Sequence, residues 1–283
     1  ALGVTATLTS NTPFVTIQDA NGTMGDIVAG GAGENVLDRF TVFADPSTYQ
    51  GYVASFSLSL TYSDGIEDAL EFSVQIGTQS STDPVGPDLY GYYAFDDTDT
   101  NYPDAPSYDW VEIDNTLGGA GEKITLGDFG TFQDRSKVID LPFEFQYYGR
   151  RYTQATICSN GWVAMGSTYL TSYRNWTIPG AGGPDAMIAP FWDDLIETSG
   201  GGVFQWYDTA EHRWILEWSE MRSEYSGTTE TFQAILYDPA YHPTATGDGA
   251  IRFQYMTINL TDPVDGYATV GIENHDQNDG VLY

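Results

Sequence analysis

The chain has 283 residues, 41% of them hydrophobic and 14% aromatic, which is enough apolar material for two folded cores and too much for a disordered chain. Its 40 acidic residues against 10 Lys and Arg leave a formal charge of −30 and a pI near 4.1. Such a field repels nucleic acids and anionic lipid surfaces, excludes both as partners, and draws cations.

Residues 1–77 carry the runs "VTATLTS", "FVTIQD", "RFTVFAD", "YVASFSLSLTYSD" and "ALEFSVQIG". Each alternates apolar and polar side chains, the period of a half-buried strand, and turn residues such as "DANG" separate them. Short strands at this spacing predict a small immunoglobulin-like β-sandwich. Arg39 is its lone base, and no nucleophile, base and orienting group come together, so this domain reads as structural.

Residues 78–109 change character: Ser, Thr, Pro, Gly and Asp concentrate, with seven aspartates and no Lys or Arg. This composition marks a connector, although the "LYGYYAF" inside it is apolar enough to dock on the following domain. Within it, "FDDTDTNYPD" sets Asp97, Asp99 and Asn101 in a D-x-D-x-N alternation flanked by Asp96 and Asp104. Calcium takes six to eight oxygen ligands, which such a loop can supply with help from backbone carbonyls. The glycine and the final glutamate of an EF-hand loop are missing, so a calcium site and a solvated linker stand as competing readings.

Residues 110–283 are again rich in strand-like runs: "WVEID", "EKITL", "FEFQYYG", "QATICSNGWVAMG", "AMIAPFWDDL", "GGVFQWYD", "RWILEWSEM", "TFQAILYD", "AIRFQYMTI" and "YATVGIEN". "GVFQWYDTAEHRWILEWSE" is a hairpin turning at "DTAEH". The whole predicts a larger antiparallel sandwich of jelly-roll type, and an all-β protein of two domains with a connector. Cys158, the single cysteine, excludes an intrachain disulfide and reads as a buried, inert thiol. No apolar run reaches the length of about 18 residues that a membrane helix needs. The chain opens at "ALGVTATLTS" without an initiator Met and stops at "DGVLY" as if in mid-strand, which fits a processed segment of a longer precursor.

One ordered set of motifs, "LPFEFQYYGRRYTQATICSNGWVAMGS", "AMIAPFWDDL" and "GGVFQWYD", resembles the nidogen-like extracellular domain over roughly residues 139–208. The continuation through "ETFQAILYDPAYHPTATGDGAIRFQYMTI" and "YATVGIENHDQNDG" extends the likeness across residues 110–283. It is similar to large secreted surface proteins of bacteria, some of which carry gingipain-type protease domains elsewhere. The peptidase itself has no counterpart here. The resemblance implies an extracellular, non-catalytic adhesion or scaffold module. The residues agree: Asn160-Gly161 suits a tight strand reversal, Pro190 an edge or bulge, and Phe191 with Trp192 a core plug.

Other candidate chemistry is weaker. Asp193 and Asp194 form a second acidic pair that could join an ion, while Asp262, Asp265, Asp276 and Asp279 follow from turn chemistry. Trp176 and Trp206 offer flat faces for sugar stacking, the alternative reading being a carbohydrate-binding accessory module of a secreted enzyme. A glycosidase pair among Glu217, Glu220 and Glu230 is easy to draw in so acidic a chain and correspondingly unspecific. His212, His242 and His275 lack zinc-ligand spacing. Sequons at Asn21, Asn175 and Asn259 allow glycosylation. The expectation is a structural or adhesive cell-surface module, not an enzyme, whose partners are copies of itself, other surface proteins or glycans. Strand-like ends add strand exchange as its assembly mode, with calcium as the stabilising ion.

Overall fold

The computed structural model describes residues 1–46, 48–131, 133–260 and 267–283; Asp262 and Asp265 lie outside them. Regular structure among the described residues is entirely β-strand. Two compact units divide the chain, Ala1–Pro84 with Thr98–Ala105, and Val85–Asp97 with Pro106–Tyr283. The aspartate-rich stretch 78–109 is therefore shared between them.

In the first unit β1 (Val4–Thr9), β3 (Asn21–Gly25), β5 (Tyr52–Thr61) and β6 (Glu67–Ile76) form a sheet in the order β3-β1-β5-β6. A second sheet pairs β2 (Val15–Asp19) with β4 (Thr41–Ala44). All these pairings are antiparallel. Alternation works as expected in β1, where Val4, Ala6 and Leu8 point inward. Leu8, Ala54 and Phe56 make the small core, with Val15, Ile17 and Phe40 packed against it. One expected turn is corrected: in "DANG", Asn21 and Gly22 already belong to β3. Only Ala20 separates β2 from β3, and its carbonyl accepts the Leu8 amide at 2.8 Å, so the chain changes sheets there without a loop.

The second unit stacks two larger antiparallel sheets. The first has the order β18-β17-β11-β10-β9-β8, built from β8 (Ser136–Tyr147), β9 (Arg150–Cys158), β10 (Trp162–Met165), β11 (Met187–Trp192), β17 (Thr269–Glu273) and β18 (Gly280–Leu282). The other has the order β16-β15-β14-β13-β7, built from β7 (Glu122–Lys123), β13 (Gly202–Asp208), β14 (Arg213–Ser223), β15 (Thr229–Tyr237) and β16 (Ile251–Thr257). Short β12 (Leu195–Ile196) also pairs with β14. Ile157, Val163 and Ile188 meet Leu216, Trp218 and Phe232 in one core between the sheets. Trp218 Nε1 crosses it to Cys158 O at 2.9 Å. Each fully buried aromatic contributes about 2–3 kcal/mol by area.

Both sheets are also covered on their outer faces. Trp162, Met187 and Trp192 lie in a second cluster behind β10 and β11, and both indole N–H groups donate to Ser172 O, at 2.8 and 2.9 Å. Behind the other sheet Ile113 joins Phe204, Ile215 and Ile235. "WVEID", expected as a strand, pairs with none. Its backbone is held instead by side chains of the sheet below: Gln254 on both groups of Asp109, Gln233 on Val111 O, and Glu217 on Ile113 N. Glu217, Gln233 and Gln254 are cross-strand neighbours on β14, β15 and β16, a row that replaces the missing ladder. "EKITL" similarly shortens to β7. Pro190 sits at the register shift of β11 against β17, a bulge inside the sheet and not an edge.

Candidate functional site

The five residues of the D-x-D-x-N reading fall in both units: Asp96 and Asp97 in the second, Asp99, Asn101 and Asp104 in the first. Asp99 is buried, whereas Asp97, Asn101 and Asp104 are exposed. Consecutive turns explain this. Thr100 N donates to Thr98 O at 2.8 Å and Tyr102 N to Asp99 O at 2.9 Å, two successive turns within the first unit. Asp96 accepts the Tyr283 hydroxyl at 2.7 Å. Among the described residues no group of three or more His, Cys, Asp or Glu side chains is arranged to hold a metal ion.

Other aspartates of the connector and its surroundings act as acceptors. Asp88 takes the amides of Gly91 and Tyr92 at 2.7 and 2.8 Å and the Tyr148 hydroxyl at 2.6 Å. Asp279 takes the amides of Leu89 and Tyr90, both at 2.8 Å, and Asp248 takes the Tyr90 hydroxyl at 2.7 Å and Gly149 N at 2.8 Å. Tyr90 and Tyr92 pack on Tyr148 with ring centroids 5.2 and 4.6 Å away. Burial first, then the Asp248 carboxylate, pushes the Tyr90 hydroxyl up to about 12, so it remains a donor at neutral pH. The sequence around Asp279 predicts only a turn; no local pattern announces a carboxylate that reaches amides 190 and 189 positions away.

Asp193 and Asp194 border a hub made by Asn160. The completely buried Asn160 accepts Leu195 N at 2.9 Å and donates to Asp134 Oδ1 at 3.0 Å and Thr171 O at 3.2 Å, while its carbonyl accepts Asp193 N at 3.3 Å. Gly161 beside it has φ +72°, and a Cβ there would lie 1.8 Å from Phe191 O. Asn160-Gly161 is thus a reversal, as its composition implies, and the lock between β10 and β12. Asp193 is 5% exposed and accepts the Ser223 hydroxyl at 3.1 Å. Burial raises its carboxyl, and with Asp134, Asp193, Glu224 and Asp128 nearby it pushes Asp194 to about 6. Asp128 is wholly buried; its oxygens make no hydrogen bond of good geometry, although the Ser159 hydroxyl and the Asp134 amide stand near it. Burial raises its carboxyl as well, in the direction that favours the proton-bearing form.

Glu217 and Glu230 are fully buried and Glu220 is exposed on the β14 bulge, so these three acids do not face one another across a groove. Glu217 Oε2 accepts Gln233 Nε2 at 2.8 Å and Ile113 N at 3.2 Å. Burial, with Glu112 beside it, pushes it up to about 8. Glu273, which accepts Gly180 N at 2.8 Å, rises to about 7, again through burial first.

Of the two candidate sugar platforms, Trp176 is 61% exposed. Trp206 is instead half-buried against Ile113, Phe204 and Ile235. A depression of 280 Å³ is lined by Arg150, Tyr152, Thr168, Leu170, Asp185 and His275, and Trp176 is not among its walls. Asn21 and Asn259 are exposed, and Asn175 is half-buried with its amide donating to Tyr267 O. Thr261, which completes the Asn259 sequon, lies outside the described residues.

The first unit contributes an open edge. β6 ends its sheet, and nine of its ten residues are exposed, among them Leu70, Phe72 and Val74 at 55, 40 and 48%.

A family model described as NIDO related, that is, nidogen related, matches residues 119–282. Searches of the curated proteins and of the solved structures gave no match.

Proposed function

The chain belongs to the nidogen-related family, and from that membership we propose that it is a non-catalytic structural or adhesive module working outside the cell. It is part of a surface protein or fibre, and it joins copies of itself or other surface proteins by strand addition. The observation that supports assembly is β6, an edge strand whose backbone groups and apolar side chains lie open. Such an edge recruits another strand, because the incoming backbone satisfies its unpaired N–H and C=O groups. Calcium enters this reading as a counter-ion to the charge of −30. Light scattering and negative-stain imaging over rising protein concentration test it: oligomers or ordered polymers are expected. A monomer at every concentration, with no binding to other surface proteins, overturns it.

A second reading, glycan binding, is favoured by the exposed indole of Trp176. Glycan-array binding that Trp176→Ala abolishes would establish it, and binding unchanged in that variant would move the platform elsewhere.

A further inference from the structure

We propose that β6 is the self-association edge of this protein, pairing antiparallel with the β6 of a second copy about a two-fold axis at Phe72. The inference rests on the assembly reading above and names its surface, partner and register.

Apart from Glu67, Asp68 and Glu71, gathered in its first half, the strand lacks the devices that blunt an edge. It follows β5 over ten consecutive positions, Tyr52↔Ile76 to Thr61↔Glu67, without a register shift. "EDALEFSVQI" contains no Pro, Lys or Arg. Residues opposite each other in an antiparallel pair share a face, so Leu70, Phe72 and Val74 continue the inward row of Leu58, Phe56 and Ala54. Val15, Ile17 and Phe40 pack against Leu8, Ala54 and Phe56, which are buried, whereas on β6 the row is open to solvent. Phe72 lies stacked on Phe56 at 5.4 Å and 17°, held in place for a partner. The apolar face is one strand wider than the layer that covers it.

Charge selects the occupant and the register. Glu67, Asp68 and Glu71 occupy the first half of the strand, and "FSVQIG" from Phe72 to Gly77 is uncharged. Parallel in-register pairing of two copies would set every acid against itself. An antiparallel two-fold at Phe72 sets Glu71 against Ser73, Asp68 against Ile76, and Glu67 against Gly77. It also sets Leu70 against Val74 and Phe72 against its own copy. A slip by one residue turns the apolar row toward the partner's polar face. A two-fold at Glu71 opposes two carboxylates. A two-fold at Ser73 shortens the ladder, since the strand ends at Ile76. The Phe72 axis alone keeps the faces matched, the acids apart and the ladder long.

Cysteine pairing on the full chain reads this register directly. Cys158 is completely buried, with its thiol pushed up by burial, and stays silent. Glu71→Cys and Ser73→Cys variants are prepared separately, and both positions lie on the polar face, away from the apolar row. Mixed under mild oxidation they should give at least about ten-fold more disulfide-linked dimer than either variant alone, since opposite Cα atoms of an antiparallel pair lie about 4.5–5.5 Å apart, within the span of a disulfide. Ala69→Cys mixed with Gln75→Cys should link in the same way. Because both copies are acidic, association should strengthen by about ten-fold or more between 50 and 500 mM NaCl. Oligomers that persist while neither mixture links would overturn the β6 register and leave the assembly reading standing. Association that weakens with salt would overturn the pairing of two acidic β6 edges, since like charges gain from screening. Monomers throughout would overturn the self-pairing, and the assembly reading would fall with it only if the chain also bound no other surface protein.

Discussion

Glu217 lies where β14 passes beneath the segment Asp109–Ile113, and its carboxylate accepts from Gln233 and from the Ile113 amide. Burial lifts it to about 8, Glu273 to about 7 and Asp194 to about 6, so the folded chain holds these protons more tightly than the unfolded chain does. A raised carboxyl costs stability as pH climbs from the ordinary carboxyl range through the raised value. Scanning calorimetry should therefore give a melting temperature that falls between pH 5 and pH 9. Glu217→Gln keeps an acceptor for Gln233 and Ile113 while removing the charge. It should match the parent at pH 5 and exceed it at pH 9 by about 1–3 kcal/mol, the cost of one badly satisfied buried polar group. Asn160→Ala works in the opposite sense, because it strands Leu195 N and Asp134 inside the fold. Urea unfolding should show a loss of about 2–4 kcal/mol.

At the scale of elements, two extended segments owe their placement to side chains and not to ladders. Asp109–Ile113 lies on the row Glu217, Gln233 and Gln254, and Leu89–Tyr90 hangs from Asp279. Strand-like composition in "WVEID" reflects the burial of Val111 and Ile113, which a segment crossing a sheet needs as much as a strand does. Two amide bonds to a carboxylate are worth about 1.5–3 kcal/mol each. Asp279→Ala should accordingly speed hydrogen exchange at Leu89–Ala94 by about ten-fold or more, while β13–β16 keep their protection. Unchanged exchange there would mean that the tyrosine packing alone holds the segment.

At the scale of the molecule, 40 acids face 10 bases, and the self-repulsion of that surface opposes compaction. Raising NaCl from about 10 to 300 mM shortens the screening length severalfold, so the melting temperature should rise by several degrees, read by calorimetry at constant pH. A flat profile would mean that the charges are already compensated locally. The aspartate-rich stretch belongs to this scale. Its turns leave Asp99 buried and Asp97, Asn101 and Asp104 exposed, so it adds to the field.

Alternation and strand-rich composition by themselves determined the strands of β1, β5, β9, β13 and β14 and the all-β class, and the quoted motifs in their order carried the resemblance to the nidogen-related family. Those features are local: side-chain direction in a strand follows from the pleat and needs no knowledge of what lies opposite. Only the tertiary structure decided which carboxylates are buried, which aspartates serve as acceptors for distant amides, and that β6 is left uncovered. Glu217 meets Ile113 across 104 positions, and burial and proton affinity are set by such neighbours, whose identity no window of consecutive residues contains.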